Sequence, residues 1–454
     1  MKVLLVSSEM EPFAKTGGLA DVVGALPKSI KALGHDVRVI IPKYKVSDKS
    51  KFKLVQIARD LQVKVGDKIE KAQVYETKIP KTDITVYLIG HDGYFGRDGL
   101  YQEKGVDYYD NDERFIFFSK AVLATMKFLG WEPHVMHCND WQSALAITYI
   151  KTIHANDPFF NSIATVYTIH NIGYMGNFPA DRMSLTGLGW EYFTPNALEF
   201  WGHVCFAKAG LVYADVINTV SETYAVEIQK EEFGYGLEGL IKARNVDVYG
   251  IVNGVDYDTW NPAKDKHLAT KYSITNLRGK ASNKAVLRKV SNLPQKKDVP
   301  IIGIVTRMAD QKGFDILTEA MHKIMELPVQ IVLLGTGEPK YEEAYRNFAN
   351  QYPDKICANI GFDSAVAPLI YAGADMFLMP SKYEPCGLGQ LISFKYGTVP
   401  VVRSTGGLAD TVANYDPETE EKYNRPELER LGAYRNAEWL KKPMIWAEYN
   451  EAVK

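Results

Sequence analysis

The stretch KTGGLADVVGALP, residues 15 to 27, follows the apolar run KVLLVS (2–7). Two successive glycines bare the backbone where a first strand should turn into a first helix. Lys15 precedes them and Asp21 sits one turn further on. Behind the glycines, Leu19, Val22, Val23, Leu26, Ile30 and Leu33 recur at helical spacing, which predicts a helix with one buried face. Gly34 is a stop signal, and HDVRVIIP (35–42) reads as the second strand. Strand, glycine turn, helix and strand make a βαβ unit and imply a parallel sheet. The turn has two readings. Gly17 and Gly18 would let a ligand reach N–H groups at a helix start, and Lys15 with Asp21 suits a phosphate beside a polyhydroxyl group. The same letters also serve a plain strand–helix turn.

Outward from this unit the pattern continues. Residues 51–90 alternate, as in KAQVYETKIP and DITVYLIG, and read as a small antiparallel excursion. Parallel-type strands return at HVMHC (134–138), SIATVYTIH (162–170) and ADVINTVS (214–221), with helices around 113–128 and 141–153. GIVNGVDYDTWNP (250–262) is rich in turn residues and marks a boundary. The pattern then restarts with the strand VPIIGIVTRM (299–308) and a helix over 312–325 that should bury Ile316, Leu317, Ala320, Met321 and Ile324. VQIVLLGTG, KICANIG, ADMFLMP and VPVVR continue the series. Two doubly wound α/β domains are expected, 1–245 and 299–454, joined by a linker and domain start over 246–298. In such folds ligands sit beyond the carboxyl ends of the strands, so the cleft between the domains is the expected site.

Composition narrows the function classes. The chain has 454 residues and a formal net charge of -2, so bulk charge gives no argument for nucleic acid or an anionic membrane surface. No run approaches the length of a membrane span, and the start lacks the pattern of a signal peptide. Four scattered cysteines without a CxxC pair argue against a disulfide framework or a zinc site. A cytoplasmic protein is expected.

The opening stretch resembles the K-T-G-G-L-A-D-V signature of bacterial glycogen synthases and plant starch synthases, and further motifs match in the same order up to about residue 417. HCNDWQSALA (137–146) resembles the family's H-x-x-D-W, YTIHNIGYMG (167–176) its T-x-H-N-x-x-Y-x-G, and SKYEPCGLGQL (381–391) its E-P-C-G-L-x-Q. TRMADQKGFD (306–315) and STGGLADTV (404–412) complete the set. The resemblance implies two facing Rossmann-like domains of GT-B type with the active site in their cleft. It implies transfer of glucose, with retention, from ADP-glucose to the non-reducing end of an α-1,4-glucan such as glycogen. Neither a cofactor nor a metal is implied, and an oligomer is possible.

Residue by residue, His170 is implied to contact the transferred glucose near its reacting carbon, with Asn171 its neighbour. Arg307 and Lys312 look like the clamp on the departing diphosphate, and Glu384 like the group that holds the donor glucose hydroxyls; two solvated cations and a helix-start carboxylate are the bland alternatives. Lys15, Gly17, Gly18 and Asp21 would bind substrate. Asp140 and Trp141 read as a carboxylate on sugar hydroxyls and an indole stacked on a sugar face, or Asp140 as the cap of its helix. Cys386, Gly387 and Leu388 would lie beside the donor, and Thr405, Gly406 and Gly407 would offer amides to the distal phosphate. Tyr94 is read as a base-stacking or sugar-loop residue; Glu9 and Asn253 match positions near the cleft.

Double displacement needs a carboxylate nucleophile at the anomeric carbon, and none is evident. Same-face attack is therefore expected, with domain closure excluding water. A non-catalytic or partner-dependent binding relative is the alternative. A dinucleotide-dependent oxidoreductase is disfavoured, because the first turn lacks GxGxxG and the second strand is not followed by a ribose-binding acid. One departure stands out. Relatives continue after NYDPET with a glycine-led strand and a helix, whereas this chain passes to KYNRPELERLGAYRNAEWL. The strand and helix read as missing, and lower stability or a greater dependence on a partner subunit is expected.

Overall fold

The computed structural model describes residues 1–48, 52–103 and 105–414. The segment after Asn414, on which the expected loss of a strand and a helix falls, lies outside the described residues. The chain divides into two compact units between Gly254 and Val255.

The first unit carries β1 (Lys2–Val6), β2 (Asp36–Pro42), β3 (Val55–Val65), β4 (Lys68–Lys78) and β5 (Thr85–Gly90). Two short pieces, β6 (Gln102–Glu103) and β7 (Val106–Asp107), pair with each other. Then come β8 (Val135–Asn139), β9 (Ala164–Ile169), β10 (Asn177–Pro179), β11 (Glu199–Phe200), β12 (His203–Cys205), β13 (Val216–Thr219) and β14 (Val248–Gly250). The main sheet runs β14-β13-β9-β8-β1-β2-β5-β4-β3. It is parallel from β14 through β5, and β4 and β3 are antiparallel. The excursion is thus confined to β3 and β4. DITVYLIG, the β5 segment, belongs to the parallel sheet through its pairing with β2. β1 is central because its run is buried on both faces, and Val3, Leu5, Val37, Val39, Val86 and Leu88 pack in one core with Val22, Val23, Leu26 and Ile30 of the helix Gly18–Ala32. Leu33 does not join them: the helix ends at Ala32, Gly34 turns with φ 86°, and Leu33 is 48% exposed.

The second unit carries β15 (Ile301–Val305), β16 (Gln330–Gly335), β17 (Ile356–Ile360), β18 (Met376–Met379) and β19 (Val399–Val402) in the order β17-β16-β15-β18-β19, all parallel. The helix Phe314–Glu326 buries Phe314, Leu317, Met321 and Met325. Ala320 and Ile324 are half-buried, and Ile316 is 50% exposed. The core face therefore starts at Phe314, two residues before the position read from sequence.

In both sheets the strand order reverses beside the first strand, between β1 and β8 in one and between β15 and β18 in the other. Loops leaving the carboxyl ends of strands on opposite sides of such a point diverge and leave a crevice.

Candidate active site

In the first unit the predicted residues gather at the ends of β1, β8 and β9, which are neighbours. The Glu9 carboxylate, after β1, is buried and organises the glycine turn. It accepts from the Thr16 N–H and the Thr16 hydroxyl, both at 2.5 Å, and from the Gly17 N–H at 3.3 Å. The Tyr101 hydroxyl reaches it from a distant loop at 2.7 Å. Lys15 Nζ pairs with Asp21 at 2.6 Å, both side chains being partly exposed. Gly17 has extended backbone, φ −153°, and a Cβ there would meet nothing within 4 Å. The chain's own packing therefore does not demand glycine at 17, and the space beside it is open.

Asn139 closes β8, donating from Nδ2 to the Val6 carbonyl at 3.1 Å. Its Oδ1 lies 2.9 Å from His170 Nε2, which the network assigns as the protonated ring nitrogen. Burial, with a smaller contribution from His137, pushes the His170 pKa down to about 3, so the ring is neutral at neutral pH. Asp140 follows with φ 55° and ψ 177°, a region that side chains avoid. Its carboxylate does not cap its own helix, Trp141–Lys151. It accepts from the His170 N–H at 2.8 Å and from the Asn171 N–H, fixing the loop after β9. Burial pushes its pKa up to about 7; the two amides lower it, and Glu9 adds a smaller upward push. Asn171 makes a local turn, its Oδ1 accepting from the Gly173 N–H at 2.9 Å. Asn253 is half-buried, at the end of this unit.

Two expectations fail here. The Trp141 indole is buried against Phe115, Phe178 and Phe206 at ring distances of 5.0, 5.6 and 6.2 Å. Gly176 presses on it so closely that a Cβ would sit 2.5 Å from the indole, which leaves no face for a sugar. Tyr94 is likewise interior. Its ring stacks on His91 at 4.2 Å and its hydroxyl donates to Glu113 at 2.6 Å, so it is not a base-stacking residue.

In the second unit the residues gather at the ends of β15, β18 and β19. Lys312 Nζ donates to both Glu384 oxygens, at 2.8 and 2.6 Å, and the Ser381 hydroxyl adds a third bond at 2.9 Å. The loops meet because Gly313 has φ 74° and a Cβ there would lie 2.1 Å from the Pro380 carbonyl. Arg307 is exposed and donates to Gln311 Oε1 at 3.1 Å. Gln311 in turn accepts the Lys382 N–H through its backbone carbonyl at 2.8 Å. Glu384 is not at a helix start, since the following helix begins at Gly389 with Leu388 as its cap residue. Cys386 is buried, and Gly387 turns with φ 77° against the Gln390 side chain.

The second TGGLAD does not repeat the first. There the helix starts one residue earlier in the motif, at Gly406, with φ 44°. A Cβ at Gly406 would lie 2.0 Å from the Glu384 carbonyl and one at Gly407 2.3 Å from that of Cys386. Gly407 spends its N–H on the Glu384 and Pro385 carbonyls, each at 3.1 Å. Together with buried Thr405, these glycines brace the Glu384 loop, and the Gly407 amide is not offered to a phosphate.

Sequence reading passed over Tyr101, Asn139, Ser381 and Gln390. Asn139, Ser381 and Gln390 lie inside the motifs, whereas Tyr101 acts from 92 residues away and leaves no local signal. Among the described residues no helix is long and apolar enough to cross a membrane.

Residues 2–243 match the starch synthase catalytic domain family, and residues 299–422 match the glycosyl transferases group 1 family. The glycogen synthase of Thermosipho africanus is 49% identical over 92% of this chain and 86% of its own length. Glycogen synthase 1 of Geobacter metallireducens is 46% identical over 92% and 84%. Among solved structures, the catalytic domain of starch synthase IV from Arabidopsis thaliana, bound to ADP and acarbose, superposes with a TM-score of 0.85 at 32% identity, covering 92% of this chain and 85% of that one. The chain belongs to the glycogen synthase and starch synthase family of glycosyltransferases.

Proposed function

We propose that this protein transfers glucose from ADP-glucose to the non-reducing end of an α-1,4-glucan, with retention of configuration, in the cytoplasm. The observation that carries the reading is the Lys312–Glu384 pair at the strand reversal of the second unit, with exposed Arg307 beside it. A cation for the diphosphate and a carboxylate for sugar hydroxyls sit in one hydrogen-bonded cluster, and a mere nucleotide binder has no use for that combination. ADP as the nucleotide draws support from the starch synthase IV structure, which is bound to ADP.

The chemistry follows from what each group can do. Arg307 and Lys312 stabilise charge on the departing diphosphate, preorganised by Gln311 and Glu384. In the first unit Asp140 is committed to the His170 and Asn171 amides, and Glu9 to the glycine turn. Neither carboxylate is free to attack the anomeric carbon. The acceptor hydroxyl therefore attacks from the face the diphosphate leaves. The C1–O bond to phosphate breaks, the new C1–O bond forms, and the departing phosphate oxygen takes the hydroxyl proton. Neutral His170 contributes no charge to this step; it presents its loop backbone and ring to the transferred glucose.

Proton NMR of the product from ADP-glucose and a maltooligosaccharide primer tests this. Chains longer by α-linked glucose units are expected. A β-linkage would overturn retention, and unextended primer would overturn the transfer.

A further inference from the structure

The first unit bears a pair of exposed aromatics that the reaction does not use. β11 and β12 form a hairpin joined by two residues, Trp201 and Gly202, with φ 50° and 78°. Positive φ at both positions is the mark of a type I′ turn, whose first position favours Asn, Asp or Gly. A bulky residue there is a backbone outlier. The chain nevertheless holds a tryptophan there, and it is 81% exposed. Against it lies a second such turn. Tyr235, with φ 52°, is 43% exposed, and the next residue, Gly236, has φ 88°. A Cβ on Gly236 would lie 2.9 Å from the Phe200 ring and 3.4 Å from the Trp201 indole nitrogen.

Both turns are tied by side-chain hydrogen bonds. Glu199 accepts the Gly202 N–H at 2.7 Å, and Glu238 accepts that of Gly236 at 2.9 Å. His203 bonds the Trp201 carbonyl at 3.0 Å. Buried Lys208 donates to the carbonyls of Pro195 and Glu199, at 2.6 and 2.5 Å, beneath the hairpin. Backbone strain kept at an exposed, hydrogen-bonded turn points to use.

We infer that Trp201 and Tyr235 form a stacking platform for a glucan chain, separate from the groups that handle the donor. This rests on the glucan-extending function proposed above. Aromatic faces bind the apolar faces of sugars while the hydroxyls stay wet. The surroundings fit that ligand better than a protein partner. The other exposed residues of 199–205 and 230–239 are charged residues, glycine and histidine, with no aliphatic side chain among them. The small sheet also grows from the His170 loop, since β10 pairs with β12, so a chain on the platform lies on the same structural excursion as the reacting end.

Native gels cast with and without glycogen test the platform without donor or turnover. Trp201→Asn restores the residue the turn prefers and should fold at least as well as the natural chain; Tyr235→Asn does the same for the second turn. Each should weaken glycogen retardation by roughly tenfold, and the rise in steady-state runs should be confined to the glycogen KM. Retardation equal to that of the natural chain in both variants would overturn the platform, even if the enzyme elongates glycogen normally. Loss of a dimer in sedimentation, with retardation unchanged, would make the patch an interface between copies and would overturn it too. An enzyme that releases no ADP but shows the retardation difference would sink the proposed reaction and leave the platform standing.

Discussion

Gly17 and Gly406 occupy the same letter in two copies of TGGLAD, and their surroundings are opposite. Gly17 has ordinary backbone and open space, whereas Gly406 has φ 44° and a carbonyl where its Cβ would go. Gly17→Ala should leave Tm within about 1 °C, as surface changes do, and should raise the donor KM, because the new methyl fills the open space beside the turn. Gly406→Ala should lower Tm by several degrees. Thermal melts of the two variants side by side check this. The Lys312–Glu384 pair gives a second prediction at this scale. Both side chains are largely buried, 18% and 8% exposed. Lys312→Met strands a buried carboxylate, which costs about 3–5 kcal/mol. Adding Glu384→Gln should restore the melting temperature and not the activity, since the proposed clamp on the diphosphate remains absent. A double variant as unstable as the single one would contradict the pairing.

Among elements, the strands and the helix positions were readable because parallel strands buried on both faces appear as continuous apolar runs, as in β1, β15 and β16. Helical phase was less so. Ile316 and Leu317 are adjacent and equally apolar, and only tertiary packing decides that Leu317 faces the sheet. Ile316→Lys should change stability by less than about 0.5 kcal/mol, while Leu317→Ala should cost about 2–5 kcal/mol; urea titrations separate the two. The site was readable to a similar depth. Motifs pointed to Lys15, His170, Arg307, Lys312 and Glu384, and these lie in the segments that follow β1, β9, β15 and β18. They could not tell that Trp141 and Tyr94 point into the core, or that Glu9 satisfies the amides of the first glycine turn, because those facts depend on residues far away in sequence.

At the scale of the whole molecule, each unit presents its candidate residues at the reversal point of its own sheet. The second unit also carries a cation that reports on its integrity. Lys280 Nζ packs against the carbonyls of Ala372 and Tyr396 at 3.1 and 3.2 Å and the Thr398 hydroxyl at 2.6 Å. Burial pushes its pKa down to about 7 from 10.5. The unfolded chain then binds the extra proton between those values, so this group's contribution to stability rises with pH from about 7 towards 10.5. Lys280→Met should flatten that part of the dependence of Tm on pH relative to the natural chain, and an unchanged slope would count against it.

In the proposed function the Arg307, Lys312 and Glu384 cluster serves transfer from ADP-glucose to glucan. The direct measurement is nucleoside-diphosphate release from ADP-glucose and from UDP-glucose, each with and without glycogen. Glycogen-dependent ADP release is expected, with UDP-glucose much the poorer donor. No release from either donor, by folded protein that still binds ADP, would contradict it.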